Sequence, residues 1–280
     1  MEHGSDFPIL NPVRLPAVAG RFYPGHPSAL STMIESFIDR ALVPSPAIGV
    51  VVPHAGYIYS GHVAGAIYSR VAVPSRTIIL CPNHTGFGVP LSIMSKGSWQ
   101  TPLGDIQIDN EMAIALMAAN PDLEEDSAAH RQEHAIEVQL PFLQHVLHRA
   151  GSRFVPITVG VSSWDALDRL GKAIAETIQR VDRTTLIIAS SDMNHYESDA
   201  ITRVKDATAI EPLLKLDARG LHEVVRRENI SMCGVGPTTA MIVASRILGA
   251  TQADLVKYAT SAEVSKDFNR VVGYAAVIVR

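Results

Sequence analysis

The stretch Ile48-Gly49-Val50-Val51-Val52-Pro53-His54-Ala55-Gly56-Tyr57 decides the fold reading, because a short β-branched run stops at a polar loop that carries a histidine. A continuous apolar run of this length, bounded by proline and glycine, reads as a strand covered on both faces. The pattern recurs where Ile78-Ile79-Leu80 runs into Cys81-Pro82-Asn83-His84, and where Ile187-Ile188-Ala189 runs into Ser190-Ser191-Asp192-Met193-Asn194-His195. Buried strands are therefore predicted over 48–52, 77–80, 154–159, 185–189 and 271–279. Helical patterns at 111–119, 133–148, 164–179, 207–214 and 238–248 lie between them, and Ser28 can cap a helix running to about Leu42. Strands alternating with helices predict an α/β fold, with one mostly parallel central sheet flanked by helices. No repeat or linker divides residues 1–280, so a single domain is expected, with residues 1–28 as an ordered arm lying over the core.

Composition narrows the function classes. Hydrophobic residues at 47% and charged residues at 19% exclude a disordered chain. Lys and Arg number 24 against 28 Asp and Glu, so the net charge of −4 and the lack of a basic cluster give no attraction for nucleic acid. Only Cys81 and Cys233 occur, too few for a disulfide framework, which predicts a reducing, cytoplasmic setting. The first residues, Met1 to Asp6, lack the cationic and apolar segments of a cleaved secretory signal. No apolar run approaches the roughly 18 residues of a membrane span, so no membrane partner is expected.

In open α/β sheets ligands bind beyond the carboxyl ends of the strands, so the three histidine loops can share one crevice. His54 and His84 lie 30 positions apart, close to one strand–helix–strand unit, which would place both imidazoles at the ends of neighbouring strands. One histidine after a strand is ordinarily a satisfied loop residue; three such loops together point to a site. Two imidazoles on strand ends are half of a transition-metal site, with Cys233, Asp192 and His195 as candidates for a third ligand. Cys233 precedes Gly234-Val235-Gly236-Pro237, where Pro237 fits the first turn of a helix whose N-terminus would favour thiolate. In His130-Arg131-Gln132-Glu133-His134-Ala135-Ile136-Glu137, the side chains of Glu133, His134 and Glu137 would share a helix face, as supports for ligands or as proton-transfer groups. The H-x-x-E-H match at 130–134 lacks a downstream helical glutamate ligand and is not read as a protease signature. Tyr57 is a candidate pocket residue. Glycine-rich nucleotide loops, a phosphate-loop lysine and a serine nucleophile elbow are absent.

The ordered set of motifs resembles the Memo proteins, including the members called AmmeMemoRadiSam system protein B. The resemblance rests on Arg14 to Pro24 with its Ala-Gly-x-Phe-Tyr-Pro ending, Pro53 to Tyr57, Pro82-Asn83-His84, Glu133 to Glu137, Pro141-Phe142, Ser190-Ser191-Asp192 with His195, and Cys233-Gly234. That family is similar in fold to class III extradiol dioxygenases of the LigB type, whose Fe(II) is held by two histidines and a carboxylate. By the resemblance His54 and His84 are metal ligands, and Cys233 stands in place of the carboxylate. The resemblance implies iron(II) as the metal, with copper or zinc as alternatives, since thiolate alters softness and redox potential and favours Cu(I), zinc or a thiolate-modified iron over the standard Fe(II) triad. Asp192 and His195 match pocket positions, as further ligands or as a base and its orienting partner, and His195 or His134 would remove a substrate proton. Cys81 stands where relatives commonly have glycine and adds a second thiol to the pocket. The resemblance implies an iron- or copper-dependent oxidoreductase; the alternatives are a non-catalytic binding module for a phosphorylated peptide or other anionic ligand, and a zinc-dependent hydrolase. It also implies a pathway link to a radical-SAM protein, acting with a small-molecule or peptide ligand.

Overall fold

The computed structural model describes residues 12–147 and 151–280. In chain order its elements are β1 (Val13–Arg14), α1 (Pro27–Glu35), β2 (Gly49–Val52), α2 (Tyr57–Tyr68), β3 (Arg76–Pro82), β4 (Leu91–Ile93), β5 (Ser98–Thr101), β6 (Gly104–Ile108), α3 (Asn110–Ala119) and β7 (Glu124–Glu125). They continue as α4 (Leu140–Leu147), β8 (Arg153–Val159), α5 (Trp164–Val181), β9 (Leu186–Ser190), β10 (His195–Glu197), α6 (Asp199–Leu214), α7 (Ala218–Arg227), α8 (Val235–Ile247), β11 (Ala253–Thr260), α9 (Ala262–Ser265) and β12 (Val271–Val279). All the strands join one sheet, whose centre is the parallel array β6, β8, β3, β9, β2. β12 closes one side antiparallel to β2, and β10 and β11 pair with it in turn. The fold is thus α/β with a mixed, centrally parallel sheet, as the strand and helix alternation implies.

Alternation along the buried strands explains the two layers. Val51, Ile78, Leu80, Ile187 and Ala189 face one core with α5 and α8, whereas Val50, Val52, Ile79 and Ile188 face the other with α1, α2 and α4. The register sets Ile188 between Val50 and Ile79. Each such side chain taken fully from water stabilises the fold by about 1.5–3 kcal/mol. Capping fixes where the helices begin: Asp109, Ser163, Ser198 and Asp217 each accept a backbone N–H in the first turn that follows.

Several boundaries differ from expectation. The helix predicted over 28–42 covers only Pro27–Glu35, with His26 rather than Ser28 at its cap, because the chain turns where the Ser36 hydroxyl donates to the Met33 carbonyl. The pattern at 207–214 is the second half of a helix that starts at Asp199. Residues 133–136 are not helical: α4 starts at Leu140 after a single tight turn over Glu137–Gln139, and the predicted end at 148 lies outside the described residues. The Arg14 guanidinium takes the His130 and Glu133 carbonyls, the second of which a continuous helix would need, while the Glu133 carboxylate accepts the Ala135 N–H. The arm is ordered over 12–28, tied down by a Tyr57 N–H bond to the Phe22 carbonyl; residues 1–11 lie outside the described part.

Candidate metal centre

β9 lies between β2 and β3, so the carboxyl ends of these strands deliver His54, Asp192 and His84 to one mouth. The expected adjacency of the two histidine strands is replaced by this next-but-one arrangement, and the intervening strand supplies Asp192. α8 points its N-terminus at the same place, with Cys233 immediately before its cap residue Gly234. A Cβ on Gly234 would lie 2.3 Å from Ser191 Cβ and 2.6 Å from the Ser190 carbonyl oxygen, so only glycine lets this chain press against the end of β9.

Cys233 Sγ is 3.2 Å from His54 Nε2, and one donor atom each from His54, His84 and Cys233 lies within 4.8 Å of the others. Hydrogen bonding decides which imidazole nitrogens are free. The Ser190 hydroxyl donates to the Ala135 carbonyl and accepts from the Gln139 amide, so its remaining lone pair faces His54 Nδ1 at 3.0 Å. His54 Nδ1 therefore carries the hydrogen and Nε2 presents a lone pair towards the sulfur. His84 Nδ1 donates to Glu133 Oε1 at 3.0 Å, while the other oxygen of that carboxylate accepts the His84 backbone N–H at 2.7 Å. Carboxylate-to-histidine bonding of this kind orients a metal-ligating ring and raises its basicity. Two neutral imidazoles and a thiolate fit zinc, iron or copper, and the residues present satisfy the donor requirement without rearranged tautomers.

Charge states follow from burial and neighbours. Burial, aided by the His84 charge, lowers His54 to about 3 and keeps it neutral. Burial opposes ionisation of Glu133, but the bond from His84 and the nearby imidazoles outweigh it and hold the carboxyl at about 2. Burial also lowers His84, yet Glu133 dominates and the ring is raised overall. Burial, then the Asp192 charge, pushes the Cys233 thiol up in the absence of a cation; a bound cation inverts that preference.

The cleft over this centre has a volume of about 550 Å³ and is lined by His54, His84, His134, Asp192, His195 and Cys233, with Phe22 and Tyr196 at its sides. Asp192 Oδ1 accepts the His54 backbone N–H at 2.8 Å, and burial raises its pKa. His134 stacks on His84 with ring centres 4.8 Å apart and is lowered to about 4, chiefly by burial. His195 Nδ1 sits 2.9 Å from the Ser231 carbonyl, so in the neutral ring Nδ1 donates to it and Nε2 carries the lone pair. Three expected pocket residues do not line the cleft. Glu137 is fully buried and binds the arm, pairing with Arg14 and accepting from the Ala17 and Val18 N–H groups and the Tyr23 hydroxyl. Tyr57 packs against Phe142 and donates to the Val138 carbonyl. Cys81 is buried on β3 among apolar side chains, which pushes its thiol well up. His130 is fully buried, bonds Ser92 and does not line the cleft.

A buried α/β sheet whose strand ends present two histidines and an aspartate, with a cysteine just before a helix N-terminus, defines a class of proteins with a candidate metal-ligand group at the strand ends. Within it, the family described as Memo-like protein matches residues 14–278, and the chain belongs to that family. A MEMO1 family protein of Methanopyrus kandleri is 45% identical over 280 residues, covering 95% of this chain and 99% of its own. Similar relatives occur in Methanothermobacter thermautotrophicus, at 41% over 275 residues (94% and 99%), and in Methanosarcina barkeri, at 42% over 268 residues (95% and 100%). Among the described residues no helix is long and apolar enough to cross a membrane.

Proposed function

We propose that His54 Nε2, His84 Nε2 and Cys233 Sγ hold one transition-metal ion, iron(II) first with copper or zinc as alternatives, and that the protein is an oxidoreductase acting on a small molecule in the cleft. The convergence of these three donors within 4.8 Å, each ring with its Nδ1 hydrogen already engaged, carries the reading. When bound, the ion would supply Lewis acidity and, for iron or copper, one-electron chemistry. His195 Nε2 is free to accept a proton from a substrate hydroxyl, as its Nδ1 hydrogen is held by Ser231. His134, kept neutral, offers a second base, with the Phe22 ring packed against it at the side of the cleft. The resemblance to LigB-type dioxygenases supports oxygen chemistry; the thiolate in place of a carboxylate separates this centre from that ligand set. A cytoplasmic setting suits an unoxidised thiol ligand, and the radical-SAM pathway link belongs to the same family resemblance.

Among the described residues no Lys or Arg lines the cleft over the histidines, which weighs against a phosphorylated peptide seated there. Oxygen uptake by metal-loaded protein with catechol as probe tests the proposal: uptake with Fe(II) or Cu(I), lost in His195→Ala, supports it. Hydrolysis of a p-nitrophenyl ester restored by Zn(II) without oxygen, and no uptake with any metal, would replace it by the hydrolase reading.

A further inference from the structure

A second groove, of about 700 Å³, runs along the arm and shares Phe22 and His134 with the metal cleft. These two rings, 4.8 Å apart at their centres, form the wall common to both cavities. The groove carries two exposed guanidiniums, Arg21 and Arg131, from opposite segments of the chain. Neither side chain makes an ion pair or hydrogen bond among the described residues, whereas many surface cations, such as Arg40 and Arg169, are paired. Among the described residues no carboxylate lines the groove. The buried Glu137 beneath it is matched by Arg14, so it does not offset the two free charges.

We infer that this groove is an anion subsite: the substrate is an elongated molecule whose carboxylate or phosphate rests on Arg21 and Arg131, while its other end crosses the Phe22–His134 pair towards His54, His84 and Cys233. Guanidinium is the side chain suited to planar, two-pronged recognition of either anion. Each cavity, at about 700 and about 550 Å³, falls by itself in the size range of small-ligand sites. The cations thus lie beside the metal cleft and not in it, one on the arm and one on the segment that carries His134. The inference rests on the metal-centre reading for the direction of the substrate, but the anion subsite itself needs no metal.

Calorimetric titration of the metal-free full chain with benzoate, phenyl phosphate and the neutral benzamide, at low ionic strength, tests it. The expected result is a preference of about tenfold or more for at least one anion over benzamide. That preference should vanish in Arg21→Gln/Arg131→Gln, return in part with lysine at both positions, and persist in Arg183→Gln at the opposite end of the sheet. Benzoate against phenyl phosphate distinguishes the two anion sources. Equal affinity for anion and benzamide, no anion binding at all, or a preference that survives the double substitution would overturn the subsite. His54→Ala separates the readings: anion preference retained with metal binding lost keeps both. Anion preference in a parent that takes up no metal keeps the subsite and removes the metal centre.

Discussion

Replacing Glu133 by glutamine tests whether the centre is held by a carboxylate-supported histidine. Glu133 is fully buried and its two oxygens accept three hydrogens, from the His84 backbone N–H, His84 Nδ1 and the Ala135 N–H. Glutamine supplies one carbonyl oxygen and places an NH₂ group against whichever donors it abandons, so at least one buried N–H loses its acceptor. Such a loss costs about 1–3 kcal/mol in folding stability. The metal consequence is larger in proportion, because His84 loses the charged partner that fixes its Nε2 lone pair towards Cys233. Outer partners of this type are worth about 10–100-fold in metal affinity. Competition titration against a chelator, with Zn(II) or anaerobic Fe(II), should show that loss in Glu133→Gln, alongside a melting curve that still shows a folded protein. Parent and variant binding the same metal with equal affinity would refute the orienting role of Glu133, and with it the assignment of His84 Nε2 as a ligand.

Three further outcomes follow from the packing and charges. Arg14→Ala leaves the Glu137 carboxylate buried without its guanidinium, since both side chains are at or below 5% exposure, and should cost about 3–5 kcal/mol by urea unfolding. Asp206 is held by burial at about 6 against an ordinary 3.8, so folding takes up a proton between those values. The stability this adds is present below pH 3.8 and lost as pH rises through 6. Asp206→Asn cannot titrate and should gain on the parent by about 2–3 kcal/mol between pH 4 and 7.5; a constant difference across that range would disprove the shift. Gly234→Ala must push the start of α8 away from Ser190 and Ser191, so Cys233 moves with it; metal affinity should fall at least tenfold while His54→Ala and Cys233→Ala lose the metal altogether.

The strands that position the site are legible because each is buried on both faces and ends in a polar loop: 48–52, 77–80 and 185–189 coincide with β2, β3 and β9 within a residue or two. Their lateral order is not legible, since β9, which arises from a distant segment, inserts between β2 and β3. The helix α2 carries no apolar stripe, because Ser60, Gly61, Ala64 and Gly65 are buried beside its larger residues, so periodicity could not reveal it. α7 is also absent from the sequence reading, although Leu221, Val224 and Val225 lie on it at helical spacing. The segment 133–137 misleads in the opposite sense. Its i, i+3 and i+4 spacing suggests one helix face, yet Glu133 serves His84 while Glu137 holds the arm 120 residues earlier in the chain. Histidines announce a site by their type; Ser190 and Gln139, which fix the His54 tautomer, are ordinary polar residues whose role appears only when three segments meet.

The most direct test of the account is the metal content of tag-free protein purified without oxygen, compared with His54→Ala and Cys233→Ala. About one equivalent of iron, copper or zinc in the parent, lost from both variants, is the predicted result. No metal in the parent, and none taken up after exposure to Fe(II), Cu(I) or Zn(II), would contradict the His54, His84 and Cys233 centre.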